Sequence, residues 1–114
     1  MPNLTTGLFE NTPVAGVRPS TMVSVNITND DTTSQDVLIQ GFFQSGTTKV
    51  LYVLELLVLA PGGVALRNYF ADFDAFEFQF VASSEAVEVT VWGKDAAGNL
   101  TTAHRVVAQE VDPF

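Results

Sequence analysis

The chain has 114 residues, no cysteine and a formal net charge of −8, with 46% hydrophobic and 16% charged residues. Five Lys and Arg residues do not supply the basic surface that nucleic acid or an anionic membrane requires, and the lack of cysteine excludes disulfide frameworks and zinc–thiolate sites. The length predicts one domain held together by an apolar core, and the acidity is expected to keep an apolar protein in solution.

The first 13 residues mix Asn, Thr, Gly and Pro with isolated apolar side chains, of which Leu4, Leu8 and Phe9 are the largest. We interpret residues 1–13 as an arm attached to a domain of residues 14–114. Two roles stay open for the arm: a loosely packed tail, or an extended segment that lays its apolar side chains against a neighbouring subunit. The segment has neither the cationic start nor the apolar centre of a secretory signal, so we expect no classical signal peptide.

Alternation of apolar and polar residues predicts the first two long strands. From Met22 to Asn29, valine and isoleucine alternate with polar residues, which is typical of a strand with one buried face. A polar loop follows, and residues 37–44 form the next predicted strand. Gly41 in its middle indicates a bulge or a close approach of another group.

The longest apolar segment, residues 49–63, is apolar on both faces when it is interpreted as a strand. One face carries Leu51, Val53, Glu55, Leu57 and Leu59. The other face carries Val50, Tyr52, Leu54, Leu56 and Val58. A strand in a two-sheet sandwich buries only one face, so another element or another chain must cover the second.

A helix is the alternative for this segment, because Thr47 or Thr48 would serve as an N-cap and the Pro and Gly residues after Ala60 would end it. The β-branched residues Val50 and Val53, and apolar side chains all round the helix, favour the strand.

The second half of the chain contains further strand patterns. Residues 64–70 follow the Pro-Gly-Gly turn, and an acidic link at 71–75 leads to residues 76–80, whose three phenylalanines share one face. Residues 87–93 alternate in the same way.

Residues 94–99, KDAAGN, are the best hairpin signal in the chain, with Gly98 and Asn99 available for left-handed conformations. The last predicted strand is 100–107. The total of seven strands, or eight with the arm, predicts an all-β, single-domain sandwich that is jelly-roll-like.

Candidate catalytic and metal-binding residues are few. His104 lies in a predicted strand and, without Cys or a second His, cannot build a common zinc site, so we interpret it as structural. Asp72, Asp74 and Glu77 form the densest acidic cluster, but no EF-hand spacing surrounds them and we expect solvated carboxylates. Spacing does not place Glu77 and Glu88 across a cleft, and no serine-elbow, phosphate-loop or dinucleotide motif is present. We therefore predict no catalytic residue, metal site or cofactor.

Three aromatic residues, Trp92, Tyr52 and Tyr69, raise sugar stacking as an alternative. We interpret them as packing residues or subunit contacts instead, because partial burial of an aromatic side chain is the commoner role.

The uncovered apolar face and the arm together predict self-association. Leaving the second face of the long strand in water would forfeit on the order of ten kcal/mol, at about 1.5–3 kcal/mol per large side chain. A heterologous contact between copies propagates into a fibre or ring, whereas an isologous contact stops at a dimer. The predicted interface residues are Leu4, Leu8, Phe9, Val50, Tyr52, Leu54, Leu56 and Val58.

The layout of the chain resembles that of bacterial endospore appendage subunits. The features that carry the resemblance are the arm, the Ser-Val-Asn-Ile-Thr-Asn strand ending at Asn29, the Ala-Pro-Gly-Gly turn at 60–63 and the Val-x-Val strand at 87–91. The resemblance implies a small jelly-roll protein without a signal peptide, whose N-terminal connector bridges to preceding subunits of a fibre. The connectors of that family carry cysteines and this chain has none, so a fibre built from it would be non-covalent.

We therefore predict a non-enzymatic structural subunit of an extracellular or spore-surface fibre. Its expected partner is itself, with no nucleic acid, membrane insertion or small-molecule ligand. A carbohydrate-type binding module and an accessory viral capsid or tail component are the alternatives.

Overall fold

The computed structural model describes residues 3–106 and 112–113, and every helix or strand within them is a β-strand. The strands are β1 (Asn3–Thr5), β2 (Phe9–Glu10), β3 (Met22–Asn29), β4 (Gln35–Ser45), β5 (Thr48–Leu59), β6 (Val64–Phe70), β7 (Ala75–Ala82), β8 (Val87–Lys94), β9 (Leu100–Val106) and β10 (Asp112–Pro113). The long apolar segment is thus a strand and not a helix. Each other predicted strand is present, and Val107, the predicted end of the last one, lies outside the described residues.

The strands form two antiparallel sheets. The first has the order β10-β1-β7-β4-β5, with β2 also paired to β7, and the second has the order β6-β3-β8-β9. The chain passes between the sheets at the connections β2–β3, β3–β4, β5–β6, β6–β7 and β7–β8, and β9 and β10 also lie in different sheets. The predicted all-β sandwich is confirmed.

The core lies between the two sheets and is filled from both. Alternate residues of each long strand point inward, because successive side chains of a strand point to opposite faces. Three phenylalanines of β7 occupy its centre with no exposed surface. The core side chains without exposed surface are those of Val23, Val25, Ile27, Val37, Ile39, Ala71, Phe76, Phe78, Phe80, Ala82, Val89 and Val91.

A β-bulge interrupts the pairing of β4 with β5 at Gly41. The register shifts there, so that Gly41 pairs with Val53 and Phe42 pairs with Leu51. A Cβ on residue 41 would lie 2.8 Å from the Cβ of Val53, so the position requires glycine. The predicted bulge is confirmed, and it leaves Tyr52 as the extra residue of β5.

A buried asparagine at the end of β3 holds the turn between β5 and β6. The Asn29 amide donates to the carbonyl oxygens of Thr33, Leu59 and Ala60 at 3.0–3.2 Å, and its side-chain oxygen accepts from the Asp31 N–H. Its main chain forms two further hydrogen bonds with the turn. These bonds place β5 and β6 side by side as edge strands of different sheets.

Two short strands of the predicted arm, β1 and β2, belong to the first sheet of its own chain. β1 and β2 pair antiparallel with β7. Leu4 and Phe9 are partly buried against the core, whereas Leu8 is 52% exposed. Residue 13 is therefore not a boundary between a free arm and a folded domain in the single chain.

Candidate subunit interface

β5 is the last strand of the first sheet in the described part of the chain, and its outer face is apolar. Leu54, Leu56 and Val58 are 64%, 64% and 70% exposed. The alternate residues Leu57 and Leu59 are buried because they point into the core. Both apolar faces that the sequence predicts are present, and the single chain leaves one of them uncovered.

The bulge changes which residues of β5 belong to the outer face. Tyr52, predicted to lie there, turns inward: its ring lies 5.0 Å from that of Phe73 and its hydroxyl donates to the Phe70 carbonyl oxygen. Leu51, predicted on the opposite face, is 44% exposed, and Val50 is 39% exposed. One extra residue reverses the inward and outward alternation of the side chains beyond it. A simple two-residue alternation of the sequence does not include this reversal.

β4 extends the apolar surface sideways from β5. Leu38 lies opposite Leu56 and Phe42 lies opposite Leu51, and both β4 side chains are half-buried. The Lys49 ammonium lies 5.3 Å from the centre of the Phe42 ring, which places a cation at one end of the surface. The surface is named the β5 face here, and its members are Leu38, Phe42, Leu51, Leu54, Leu56 and Val58.

β6 also presents exposed apolar side chains. Val64, Leu66 and Phe70 are 61%, 64% and 59% exposed, whereas the alternate residue Ala65 is buried. These side chains lie on the outer face of the second sheet. The neighbouring edge strands β5 and β6 therefore each carry an exposed apolar surface, one on each outer face of the sandwich. The sequence interpretation missed them because an alternating strand gives no sign of whether its outer face is covered.

Three polar side chains close the gap between β5 and β6. The Arg67 Nε lies 2.9 Å from Glu55 Oε2, and the Tyr69 hydroxyl donates to Glu55 Oε1 at 2.6 Å. Hydrogen bonds from Tyr69 and Arg67 hold the pKa of Glu55 below its ordinary value, while burial and the bond to Glu55 raise the pKa of Tyr69. The one acid in β5 is thus neutralised within the chain.

The part of the β5 edge after the bulge lacks the usual protection against pairing with another chain. Edge strands are commonly short, or carry proline, outward charge or a bulge. β5 has 12 residues, and the part after the bulge, residues 53–59, contains neither proline nor an outward charge. Glu55 points inward, a feature that protects other edges, but Arg67 already pairs with it.

Glu77 links both sides of the first sheet on its outer face. Its Oε1 lies 2.7 Å from the Lys49 Nζ, and its Oε2 accepts hydrogen bonds from the Thr5 hydroxyl and from Gln79. Burial raises the pKa of Glu77, but these hydrogen bonds outweigh it, and the pKa lies below its ordinary value. Glu77 is therefore separate from the acidic link with which the sequence grouped it.

The carboxylates of the acidic link are paired with a cation. Arg18 Nε lies 2.6 Å from Asp72 Oδ1, and Arg18 Nη1 lies 2.8 Å from Asp74 Oδ1. Both carboxylates are exposed, as expected, but each also pairs with Arg18, which is far away in sequence. Within residues 3–106 and 112–113, no group of three or more His, Asp or Glu side chains is arranged to hold a metal ion.

His104 is buried, and both of its ring nitrogens have hydrogen-bond partners within the chain. Its Nε2 lies 2.9 Å from the Glu10 carbonyl oxygen and its Nδ1 lies 2.6 Å from Ser20 Oγ. Because a carbonyl only accepts, Nε2 carries the proton and the Ser20 hydroxyl donates to Nδ1. A serine hydroxyl hydrogen-bonded to a histidine is also the arrangement of a catalytic nucleophile and its general base. Ser20, however, has no exposed surface through which a substrate would reach it.

A second buried asparagine, Asn11, joins three segments near the start of β3. Its amide donates to the carbonyl oxygens of Ser20, Ala71 and Phe73 at 2.8–3.1 Å, and its side-chain oxygen accepts from the Ser20 N–H at 2.9 Å. The sequence analysis singled out neither Asn11 nor the side chain of Asn29, because an asparagine at the border of a polar segment carries no sign of burial.

The aromatic residues considered for sugar stacking do not share a surface. Tyr52 and Tyr69 point inward, with ring centres 6.2 Å and 5.4 Å from that of Phe78. Trp92 lies half-buried on β8. The two tyrosines therefore pack, as the sequence interpretation expects.

Comparisons with family models, curated proteins and solved structures give no match for this chain. In the part of the chain that the structure describes, no helix has the length and apolar character to cross a membrane. Function is therefore inferred from the geometry above and from the sequence.

Proposed function

We propose that this chain is a non-enzymatic structural subunit that associates with copies of itself into a non-covalent fibre. The observation that supports this best is the β5 face, an apolar surface beside the open edge of a long strand. Association would cover the face and pair the free main-chain groups of β5 with a strand of another copy. The N-terminal segment is proposed to contact a neighbouring subunit as well. A location outside the cell or on a spore surface follows from the sequence resemblance to appendage subunits.

The free energy gained by burying the apolar side chains of this face favours association despite the net charge of the chain. Leu54, Leu56 and Val58 would each contribute about 1–2 kcal/mol on burial, since about two-thirds of each side chain is exposed. The net charge of −8 opposes the approach of two copies, and salt screens that repulsion over about 10 Å at 0.1 M. The outward residues of β5 between 51 and 58 carry no charge, and Asp36 of β4, opposite Val58, places one exposed carboxylate at the border of the contact.

Negative-stain electron microscopy and sedimentation velocity of the full chain in 0.15 M salt test the proposal. We expect fibres from the unmodified chain and monomers from the double variant Leu54→Asp with Leu56→Asp, because an unpaired carboxylate in an apolar contact is unfavourable. The matched control is Ala96→Asp with Asn99→Asp, which adds the same charge on the exposed turn between β8 and β9 and should still form fibres.

Two results would contradict the proposal. A monodisperse monomer for the unmodified chain would exclude self-assembly under these conditions. Fibres that persist in the Leu54 and Leu56 double variant would exclude the β5 face as the contact.

A further inference from the structure

We infer that residues 3–11 exchange between copies, so that β1 and β2 of one chain pair with β7 of another. The inference rests on the proposed function and identifies what the N-terminal segment contacts: the β7 strand of a second copy of this chain. Three observations carry it, namely the form of the contact within one chain, the strained connection that follows it, and the reach of that connection.

Every contact that holds the segment is one that a second copy also offers. Main-chain pairing joins β1 and β2 to β7, and Leu4 and Phe9 pack against the core. The Thr6 N–H donates to the Phe78 carbonyl at 3.0 Å, and the Phe78 N–H donates to the Thr6 hydroxyl at 3.1 Å. β10 pairs with the far side of β1 over only two residues. Exchange therefore recreates the same contacts between chains, which makes it a low-energy route to association.

The connection between this segment and β3 is exposed and strained. Residues 12–17 are all exposed, and Val14 and Val17 form a tight turn through two main-chain hydrogen bonds of 2.8 Å and 2.9 Å. The two residues between them, Ala15 and Gly16, have φ angles of 52° and 79°. Glycine adopts such angles freely, but the Cβ of alanine makes them unfavourable. Ala15 is the one non-glycine residue with positive φ among the described residues, and opening the turn releases its strain.

The opened connection is long enough to reach a neighbour. Pro13 restricts the residue before it to an extended conformation, and opening the turn frees residues 12–17 to extend, whereas Arg18 stays paired with Asp72 and Asp74. Six extended residues span about 20–22 Å. The shortest dimension of the molecule is 21 Å, so the segment reaches a copy packed along that direction. Val14 and Val17 are each 68% exposed, and such β-branched residues favour the extended conformation that exchange requires.

The geometry of exchange decides the product. Reciprocal exchange between two copies closes into a dimer, whereas exchange passed from each copy to the next continues without end. The second arrangement supplies the head-to-tail contact that a fibre needs in addition to the β5 face.

Engineered cysteines test the exchange, because the chain has none of its own. Asn3 and Val81 lie opposite each other in register. Thr6 and Phe78 form a hydrogen-bonded pair of the same ladder, and such pairs alternate with closer, non-hydrogen-bonded ones, so Asn3 and Val81 belong to the closer kind and suit a disulfide. Full-length Asn3→Cys chains are mixed with Val81→Cys chains that carry a mass tag, unfolded, refolded together at high concentration and oxidised.

The mixed disulfide is separated by mass on a non-reducing gel. The control replaces the tagged partner by a Glu85→Cys chain, whose cysteine lies on an exposed turn away from the ladder. We expect at least tenfold more mixed product with Val81→Cys than with Glu85→Cys. Ala15→Gly, which removes the strain from the turn, should lower the yield about five- to thirtyfold, and Ala15→Val should raise it.

The outcomes separate this inference from the proposed function. Equal yields for the two partners, under conditions in which the unmodified chain forms fibres, would overturn the exchange and leave the proposed function standing. Mixed product from a chain that forms only closed dimers would support the exchange and contradict the fibre. Equal yields from a chain that stays monomeric would overturn both.

Discussion

The β5 side and the β1 side of the first sheet are built in opposite ways. β5 is a strand of 12 residues whose part after the bulge, residues 53–59, is regular and has an uncovered apolar outer face, whereas β1 and β2 have three and two residues and are separated around Gly7, whose φ is 71°. Short and interrupted strands offer little template for another chain, and long regular strands offer much. The comparison indicates that the N-terminal side of the sheet is completed by β1 and β2, from the same chain or from a second copy, while the β5 side is left uncovered.

The largest expected effect comes from truncating a side chain on the N-terminal side of the sheet. Phe76 has no exposed surface, and its ring centre lies 5.1 Å from that of Phe9 and 5.7 Å from that of His104. Phe76→Ala should lower the free energy of unfolding by about 3–5 kcal/mol. Leu56→Ala on the β5 face should change it by no more than about 0.5 kcal/mol in the dilute monomer, because the side chain is already exposed.

Urea unfolding followed by circular dichroism measures both changes. Equal decreases in the free energy of unfolding for Phe76→Ala and Leu56→Ala would show that the β5 face is covered within the single chain. The two sides of the sheet would then not differ as described.

A smaller effect on stability is expected from replacing Glu77, whose carboxylate contacts Thr5 on one side of the sheet and Lys49 on the other. Its pKa is lower in the folded chain than in the unfolded one, so its contribution to stability is present above the unfolded pKa and is lost as the pH falls through the folded pKa. The unmodified chain should therefore lose more stability than Glu77→Gln as the pH is lowered from roughly 5 to 2.

Urea midpoints at a series of pH values compare Glu77→Gln with the unmodified chain, and Glu88→Gln on the exposed side of β8 serves as control. Parallel pH profiles for Glu77→Gln and the unmodified chain would mean that this carboxylate does not link the two sides of the sheet.

The sequence predicted the strands of the sandwich well, because alternation and turn residues report local structure. The two apolar faces of β5 and the bulge at Gly41 were both evident. The effect of the bulge on Tyr52 and Leu51 was not evident. The direction of each side chain beyond a bulge depends on which of the two paired strands contains the extra residue, and the sequence does not show this.

Features that depend on distant partners were not predictable from the sequence. β1 and β2 are too short to show alternation, and they exist because β7 offers an edge with Phe76 and Phe80 opposite Phe9 and Leu4. The pairing of Arg18 with the acidic link likewise joins residues far apart in sequence, for which no local pattern exists.

Hydrogen–deuterium exchange at low and high protein concentration tests most directly whether the β5 edge is the contact between subunits. If it is, peptides that cover residues 48–59 gain protection on assembly, because the free N–H groups of β5 become paired, while peptides from β3 at the centre of the second sheet stay unchanged. Assembly that leaves residues 48–59 as exchangeable as in the monomer would contradict the account.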